Sequence, residues 1–340
     1  MEYRTLGRSG TVVSTLALGT MTFGKETDEE GSHEQLDLFL ESGGTLVDTA
    51  DVYTAGASEE IVGRWLDARP SDVTDRVVLA TKARFPMGED RNDVGLSRRH
   101  LARALDASLR RLRVDCVDLY QVHAWDPLTP VEETLGFFDD AIRAGKVRYA
   151  GLSNYAGWQV QKAVDTAEHR HLPRPVTLQP QYNLLSREIE WEIVPAALAN
   201  GLGLLPWSPL GGGWLTGKYT RDQRPEGATR LGEDPGRGVE AYDKRSASER
   251  TWAVVDAVQS AAEATGRSMA EVALAWVHDR PAVSSVILGA RTTEQLTANL
   301  AAAGLHLDAA TTAALDAASD PTPADYPYGP AGVEQRTRTF

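Results

Sequence analysis

The chain has 340 residues, 42% of them apolar and 24% charged, which are the proportions of a globular protein with a sizeable core, and its length suits one α/β barrel or two smaller domains. A formal net charge of −13 argues against a general nucleic-acid or anionic-membrane binder, because phosphates would be repelled, yet leaves room for one local basic pocket that holds a small anion. The single cysteine, Cys116, allows no internal disulfide, the N-terminus has no apolar signal core, and no apolar run reaches the roughly 18 residues of a membrane span, so a soluble, cytoplasmic protein is expected.

The opening "EYRTLGRSGTVVS" predicts a small hairpin turning near Gly10. Short apolar, β-rich runs then recur: "STLALGT" (14–20), "TLVDTA" (45–50), "RVVLATK" (76–82), "CVDLYQVH" (116–123), "VRYAGLSN" (147–154), "PVTLQPQY" (175–182), "GLGLLPWSP" (201–209) and "VSSVILGA" (283–290). Helix-like stretches lie between most of them. "SHEQLDLFLESG" and "SEEIVGRWLDAR" space their apolar residues by three and four. "LSRRHLARALDASLRRL" follows a capping Ser97, and "TPVEETLGFFDDAIRAG" stops at Gly145. Eight strands alternating with helices predict a (β/α)8 TIM barrel forming a single domain over 1–340, with a doubly wound sheet as the alternative. One segment breaks the alternation. Residues 219–248, after the seventh strand, are rich in Gly, Pro, Arg and Asp and read as a long functional loop or a disordered one; the tail 320–332 is also loop-like.

Polar residues gather at the strand ends. Asp48 ends the second run, Lys82 the third, His123 the fourth, and Ser153 with Asn154 the fifth; Gln179 lies in the sixth, and Trp207 with Ser208 ends the seventh. Each alone has an ordinary explanation as a solvated charge, a cap or a satisfied core histidine. In a barrel all of them converge on the C-terminal mouth, where barrel enzymes place their active sites. The chemistry they suit is proton transfer to an oxygen. A phenol titrates near about 10, a neighbouring ammonium favours the phenolate, and an aspartate holds that ammonium charged. Tyr53, Lys82 and Asp48 supply those groups, and His123 could hydrogen-bond the same oxygen. Ser153 and Ser208 lack a nucleophile-elbow context, and Cys116 lies at the wrong end of its strand. No Cys/His cluster has zinc spacing, so no metal is expected. "GGWLTGKY" (212–219) fits the glycine and lysine pattern of a P-loop but continues with Tyr219, where a magnesium-binding hydroxyl belongs. That excludes an NTPase and leaves a glycine-rich loop beside Lys218 that could cradle a pyrophosphate.

The residues "DTADVYTAGASEEIVGRWL", "ATK", "DLYQVHAWDPLTPVEETL", "GKVRYAGLSNY", "LQPQYN", "WSPLGGGWLTGKY" and "GARTTEQLTANL" resemble, in order and over nearly the whole chain, the signatures of the aldo-keto reductase family. Their style is closer to bacterial reductases and potassium-channel β subunits than to aldose reductases. The resemblance implies NADPH-dependent reduction of aldehydes or ketones, with Asp48, Tyr53, Lys82 and His123 as the catalytic tetrad and Tyr53 as general acid. It implies that Gly19 and Thr20 stand near the cofactor, and that Ser153, Asn154 and Gln179 hold the nicotinamide carboxamide while Trp207 stacks on its ring. Ser208, Leu210, Gly211, Lys218 and Arg230 would hold the pyrophosphate, and Gly289, Arg291, Gln295 and Asn299 the adenosine-phosphate end. Met21 and Trp125 resemble substrate-pocket positions beside Tyr53 and His123. The segment 219–248 is then expected to order on the cofactor. Expected partners are a small carbonyl substrate and neither nucleic acid nor membrane, with the chain a monomer or homo-oligomer. A regulatory subunit like the channel β proteins is the alternative function; those subunits carry an amide where His123 stands, so the imidazole favours an enzyme.

Overall fold

Two short strands, β1 (Tyr3–Thr5) and β2 (Val12–Ser14), pair antiparallel and form the expected hairpin. The structure is a computed structural model and describes residues 1–337 apart from 222, 228, 229 and 237; the side chain of Arg230 is also outside the described part. Each of the eight apolar runs contains one strand of a parallel sheet. These are β3 (Leu16–Gly19), β4 (Leu46–Asp48), β5 (Val78–Ala83), β6 (Val117–Val122), β7 (Val147–Ser153), β8 (Thr177–Gln179), β9 (Gly203–Leu204) and β10 (Val286–Leu288), with β10 beside β3 and the rest in chain order. Backbone bonds cross the remaining seam: Leu204 N donates to Ala282 O at 2.7 Å, Ser284 N to Leu204 O at 2.9 Å, and Ile287 N to Pro206 O at 3.0 Å. The sheet therefore curls round to a (β/α)8 barrel.

Helices cover the barrel because their apolar residues recur on one face. In Arg98–Leu112, the residues Leu101, Leu105, Leu109 and Leu112 are all buried at three- and four-residue spacing. Its N-terminus is fixed by Ser97, whose side chain accepts from His100 N at 3.2 Å, and Asp28 caps Glu29–Glu41 through Gly31 N at 2.9 Å. Such a cap stabilises by about 1 kcal/mol. Truncating Leu105 to alanine would cost roughly 2–5 kcal/mol.

The hairpin closes the N-terminal end of the barrel. Leu6 and Val13 form one buried cluster with the strand residues Ala17, Leu46, Leu119, Leu205 and Ile287. Gly7 makes the close approach possible: its φ is 55°, and a Cβ there would lie 2.1 Å from the carbonyl oxygen of Val176. The other end of the barrel is left for the mouth.

The segment after β9 departs from its composition. Residues 219–248, which read as irregular loop, contain the short helical turns Arg230–Glu233, Gly238–Glu240 and Tyr242–Ser246. Buried aromatic rings anchor them. Trp214 stacks on Tyr242 at 5.4 Å and meets Tyr219 and Trp252 edge-on at 5.1 and 5.4 Å. Trp214 Nε1 donates to Glu240 O at 3.0 Å, and the buried Glu240 carboxylate takes Arg245 Nε at 2.7 Å.

Candidate active site

The register of the sheet brings the polar strand ends together. Asp48 is the last residue of β4 and pairs with Gly19 of β3 on one side and Ala80 of β5 on the other; Lys82 on β5 pairs with Gln121 on β6. Lys82 is fully buried, and its Nζ donates to Asp48 Oδ2 at 2.6 Å and to the Thr49 carbonyl at 2.7 Å. The other carboxylate oxygen, Asp48 Oδ1, accepts from Gln179 Nε2 at 2.9 Å and from Gln121 Nε2 at 3.1 Å. Both charges are thus paired and hydrogen-bonded, the condition under which a buried ion pair persists.

Tyr53 lies in a tight turn just past β4. Its successors Thr54 and Ala55 hold left-handed φ values of 50° and 52°, and Thr54 Oγ1 donates to Phe23 O at 3.0 Å. Non-glycine residues in that region carry strain that the surroundings must hold, so the turn fixes where the phenol points. The Lys82 ammonium stands over the Tyr53 ring, 4.9 Å from its centroid. Burial pushes the Tyr53 hydroxyl above its ordinary value; Lys82 pulls it down and the Asp48 charge lifts it again, and the net direction is upward. The sequence expectation that the ammonium would lower this group is therefore met by a larger opposing effect, and Tyr53 carries its proton at neutral pH. For Lys82 itself, burial works against the charge, but Asp48 and Tyr53 outweigh it and the ammonium titrates above its usual value.

His123 follows β6, and its ring meets Tyr53 at 5.9 Å and Phe85 at 4.7 Å. Burial, then the charges of Lys82 and Arg84, hold it well below the usual histidine range, so it is neutral. Its Nδ1 is buried with no hydrogen-bond partner. A buried polar atom without a partner is uncommon, and here it belongs to a ring at the mouth.

The remaining expected residues fall into three groups. Thr20 is bound to the floor of the site: its hydroxyl meets Ser58 Oγ at 2.7 Å, and its N donates to Asp48 O at 3.0 Å. Ser153 Oγ donates to Gln179 O at 2.9 Å; Asn154 Nδ2 donates to His123 O at 2.9 Å and its Oδ1 accepts from Trp207 Nε1 at 3.0 Å. Asn154 and Ser208 both have φ of 54°, so two strained residues rim the mouth. Beside them a cavity of about 430 Å³ is lined by Asn154, Tyr155, Gln181, Ile193 and Trp207 among others. Met21 is exposed after β3, and Trp125 packs on Tyr155 and Trp158 at 5.2 and 5.4 Å.

The second group is the loop past Trp207. Ser208 and Leu210 lead into Gly211, Gly212 and Gly213, all in the left-handed region, with Lys218 exposed just beyond. Glycine follows this path without strain, and the turn closes on itself: Gly211 N donates to Ser208 O at 2.9 Å and Gly213 N to Leu210 O at 3.0 Å. Arg230 was expected here, and its side chain lies outside the described residues. The third group meets at the start of the helix Thr293–Leu300. Arg291 N donates to Gln295 Oε1 at 3.0 Å, and Asn299 Nδ2 to Gly289 O at 3.5 Å; a Cβ on Gly289 would meet nothing. A cavity of about 490 Å³ opens beside Arg291. Neither cavity is lined by Tyr53, Lys82 or His123.

Sequence reading missed Gln121, Phe85, Glu26 and Glu233. Gln121 carried a signal, since it stands two residues before His123 and the period of a strand puts both on the inner face. Gly151, paired with Gln121, makes room for it: a Cβ there would lie 2.8 Å from Gln121 Cγ. No sequence spacing joins His278, Asp279 and His306, whose donor atoms lie within 4.8 Å of one another. Arg4 stands 3.4 Å from His278 Nε2 and 3.7 Å from Asp279 Oδ1, and both rings are engaged with Asp279, so the group is an ion-pair network.

The buried acid–amine pair beneath a phenol, at the mouth of a barrel, is the arrangement by which this fold can be compared with known families. The aldo/keto reductase family model matches residues 15–320. The chain belongs to the aldo/keto reductase family. An uncharacterized oxidoreductase, YrpG, of Bacillus subtilis (strain 168) is 39% identical over 316 residues, covering 91% of this chain and 93% of its own. A probable voltage-gated potassium channel subunit beta of Oryza sativa subsp. japonica is also 39% identical, over 310 residues, with 89% and 91% covered. Versiconal hemiacetal acetate reductase of Aspergillus parasiticus is 34% identical over 310 residues, with 84% and 88% covered. Aldo/keto reductases are oxidoreductases that generally use NAD(P)H, and this chain has the family's barrel. Among the described residues no helix is long and apolar enough to cross a membrane.

Proposed function

We propose that the protein reduces aldehydes or ketones to alcohols with NADPH, and that Tyr53 donates the proton. The observation that carries this reading is the buried Lys82–Asp48 pair at 2.6 Å with its ammonium over Tyr53 and a neutral His123 alongside. The three left-handed glycines and the Arg291 guanidinium beside its cavity fit a dinucleotide, whose pyrophosphate Ser208, Leu210, Gly211, Lys218 and Arg230 would hold. Gly289, Arg291, Gln295 and Asn299 would take its adenosine phosphate, Ser153, Asn154 and Gln179 its carboxamide, and Trp207 the ring beside Gly19 and Thr20. When bound, the nicotinamide supplies the hydride that reduces the carbonyl carbon.

The chain's own residues do the rest. Neutral His123 orients the carbonyl oxygen through an N–H or receives its hydroxyl hydrogen, and it adds no charge that would compete with Lys82. Tyr53 arrives protonated because its surroundings desolvate it, and passes that proton to the oxygen as the alcohol forms. The resulting phenolate is stabilised by the ammonium of Lys82, which Asp48 keeps in place, while Gln121 and Gln179 keep Asp48 in place. Met21 and Trp125 would wall the substrate.

A second reading, a regulatory subunit, is supported by the rice relative's name. It differs in outcome. An NADPH-oxidation screen over aldehydes, ketones, quinones and dicarbonyls should find turnover that needs Tyr53. Tight dinucleotide binding with no turnover on any of these carbonyl classes would favour the regulatory reading instead.

A further inference from the structure

Arg291 is not waiting for an anion; two carboxylates already hold it. Its Nη2 lies 2.5 Å from Glu233 Oε2 and its Nε 3.2 Å from Glu26 Oε2. The two acids differ. Glu26 is only 8% exposed and sits in the turn after β3, which is fastened to the same strand end: Thr27 Oγ1 donates to Arg291 O at 3.1 Å and Thr22 Oγ1 to Ala290 O at 2.9 Å. Glu233 is 46% exposed and reaches Arg291 from across the cavity, from the last residue of the turn Arg230–Glu233. The cavity between them is lined by Lys25, Glu26, Glu233, Asp234 and Arg291, two cations against three carboxylates, a formal charge of −1.

A guanidinium fork offers the same paired geometry to a carboxylate and to a phosphate, so the two compete for one face. A near-dianionic phosphate entering a cavity of net negative charge meets repulsion unless an acid leaves, whereas a neutral hydroxyl meets none. We propose that Glu233 is a specificity-determining residue of this site: a ribose 2′-phosphate binds Arg291 by displacing Glu233, whereas a dinucleotide without that phosphate leaves Glu233 in place and donates its ribose hydroxyl to it. Glu26, held within its turn, positions the guanidinium throughout. This inference rests on the dinucleotide reading above and adds to it: the preference for the phosphorylated cofactor is held down by an acid of the chain itself.

The test is the pair of dissociation constants for NADP⁺ and NAD⁺, by quenching of intrinsic fluorescence, in wild type, Glu233→Gln and Glu294→Gln. Glu294 is an exposed acid in the first turn of the helix Thr293–Leu300 and does not line the cavity, so its variant controls for a general change of charge. Glu233→Gln keeps the shape and removes the competing charge. Its NADP⁺ affinity should rise by about two- to five-fold, the upper part of what one exposed ion pair is worth, with NAD⁺ affinity unchanged or slightly weaker. Glu294→Gln should leave the ratio of the two constants where it was. An unchanged ratio in Glu233→Gln, or an equal rise in Glu294→Gln, would overturn the competition while leaving the dinucleotide reading intact. Failure of wild type to bind either dinucleotide would overturn that reading and this inference with it.

Discussion

Replacing Lys82 with methionine removes the ammonium while keeping most of its length. In the protein that ammonium is fully buried between Asp48 Oδ2 at 2.6 Å and the Thr49 carbonyl at 2.7 Å. The variant leaves the Asp48 carboxylate buried with donors on Oδ1 alone, from Gln121 and Gln179. Removing one member of a buried pair costs roughly 3–5 kcal/mol, which urea unfolding would read as a lower midpoint at unchanged slope. The double variant Lys82→Met/Asp48→Asn also removes the stranded charge and should regain most of that loss. The chemistry should suffer separately. Unit charges at the 4.9 Å between Lys82 Nζ and the Tyr53 ring centroid attract by roughly 3 kcal/mol at an effective dielectric near 20. A step that builds phenolate should therefore slow on the order of 100-fold. Because burial raises Tyr53 and Lys82 opposes it, losing Lys82 moves the alkaline limb of carbonyl reduction to higher pH. The assay is a kcat/KM profile against pH beside the urea curves. Coincident alkaline limbs in wild type and variant would refute the coupling of Tyr53 to Lys82, and a double variant as unstable as the single would refute the stranded-charge argument.

Tyr53→Phe should bind NADP⁺ nearly as well as wild type and lose turnover by roughly 10²–10⁴, the effect of a missing general acid; near wild-type turnover would remove Tyr53 from the mechanism. Asp51 is buried with both carboxylate oxygens unpartnered, and burial, reinforced by the charge of Glu59, raises it from 3.8 to about 7. A folded value above the unfolded one means that wild-type stability is whole below about pH 4 and falls as pH rises toward 7. Asp51→Asn escapes this decline and should gain up to about 4 kcal/mol at pH 8 and almost nothing near pH 4; an equal gain at both, by urea unfolding, would refute the assignment. Arg291→Ala should weaken NADP⁺ by roughly 10- to 150-fold, the worth of a hydrogen bond to a charged group, and leave NAD⁺ nearly unchanged; equal losses would place Arg291 in support of the adenine or the fold.

Much of this molecule is legible in its sequence, and the reasons are local. The barrel strands announce themselves because apolar runs of strand length alternate with helical periodicity, and the structure puts one strand in each run. Asp48, Lys82 and His123 stand out because each is a polar residue where an apolar strand stops. Other features depend on distance in the chain. The contact of Glu233 with Arg291 depends on where a Gly- and Pro-rich segment comes to rest, and that segment is anchored by Tyr219 and Tyr242 meeting Trp214 rather than by any helical period. Gln121 shows the intermediate case, readable from the period of two but hidden because a glutamine in a strand has no chemistry of its own until Asp48 is opposite it. Tyr53 marks the furthest limit. The sequence names the groups that act on the phenol, yet the net direction is set by how strongly the surroundings of this half-buried ring desolvate it. An ammonium beside a solvated phenol would favour the phenolate. Beside one desolvated by its surroundings it only moderates the cost of ionising, so Tyr53 keeps its proton at neutral pH.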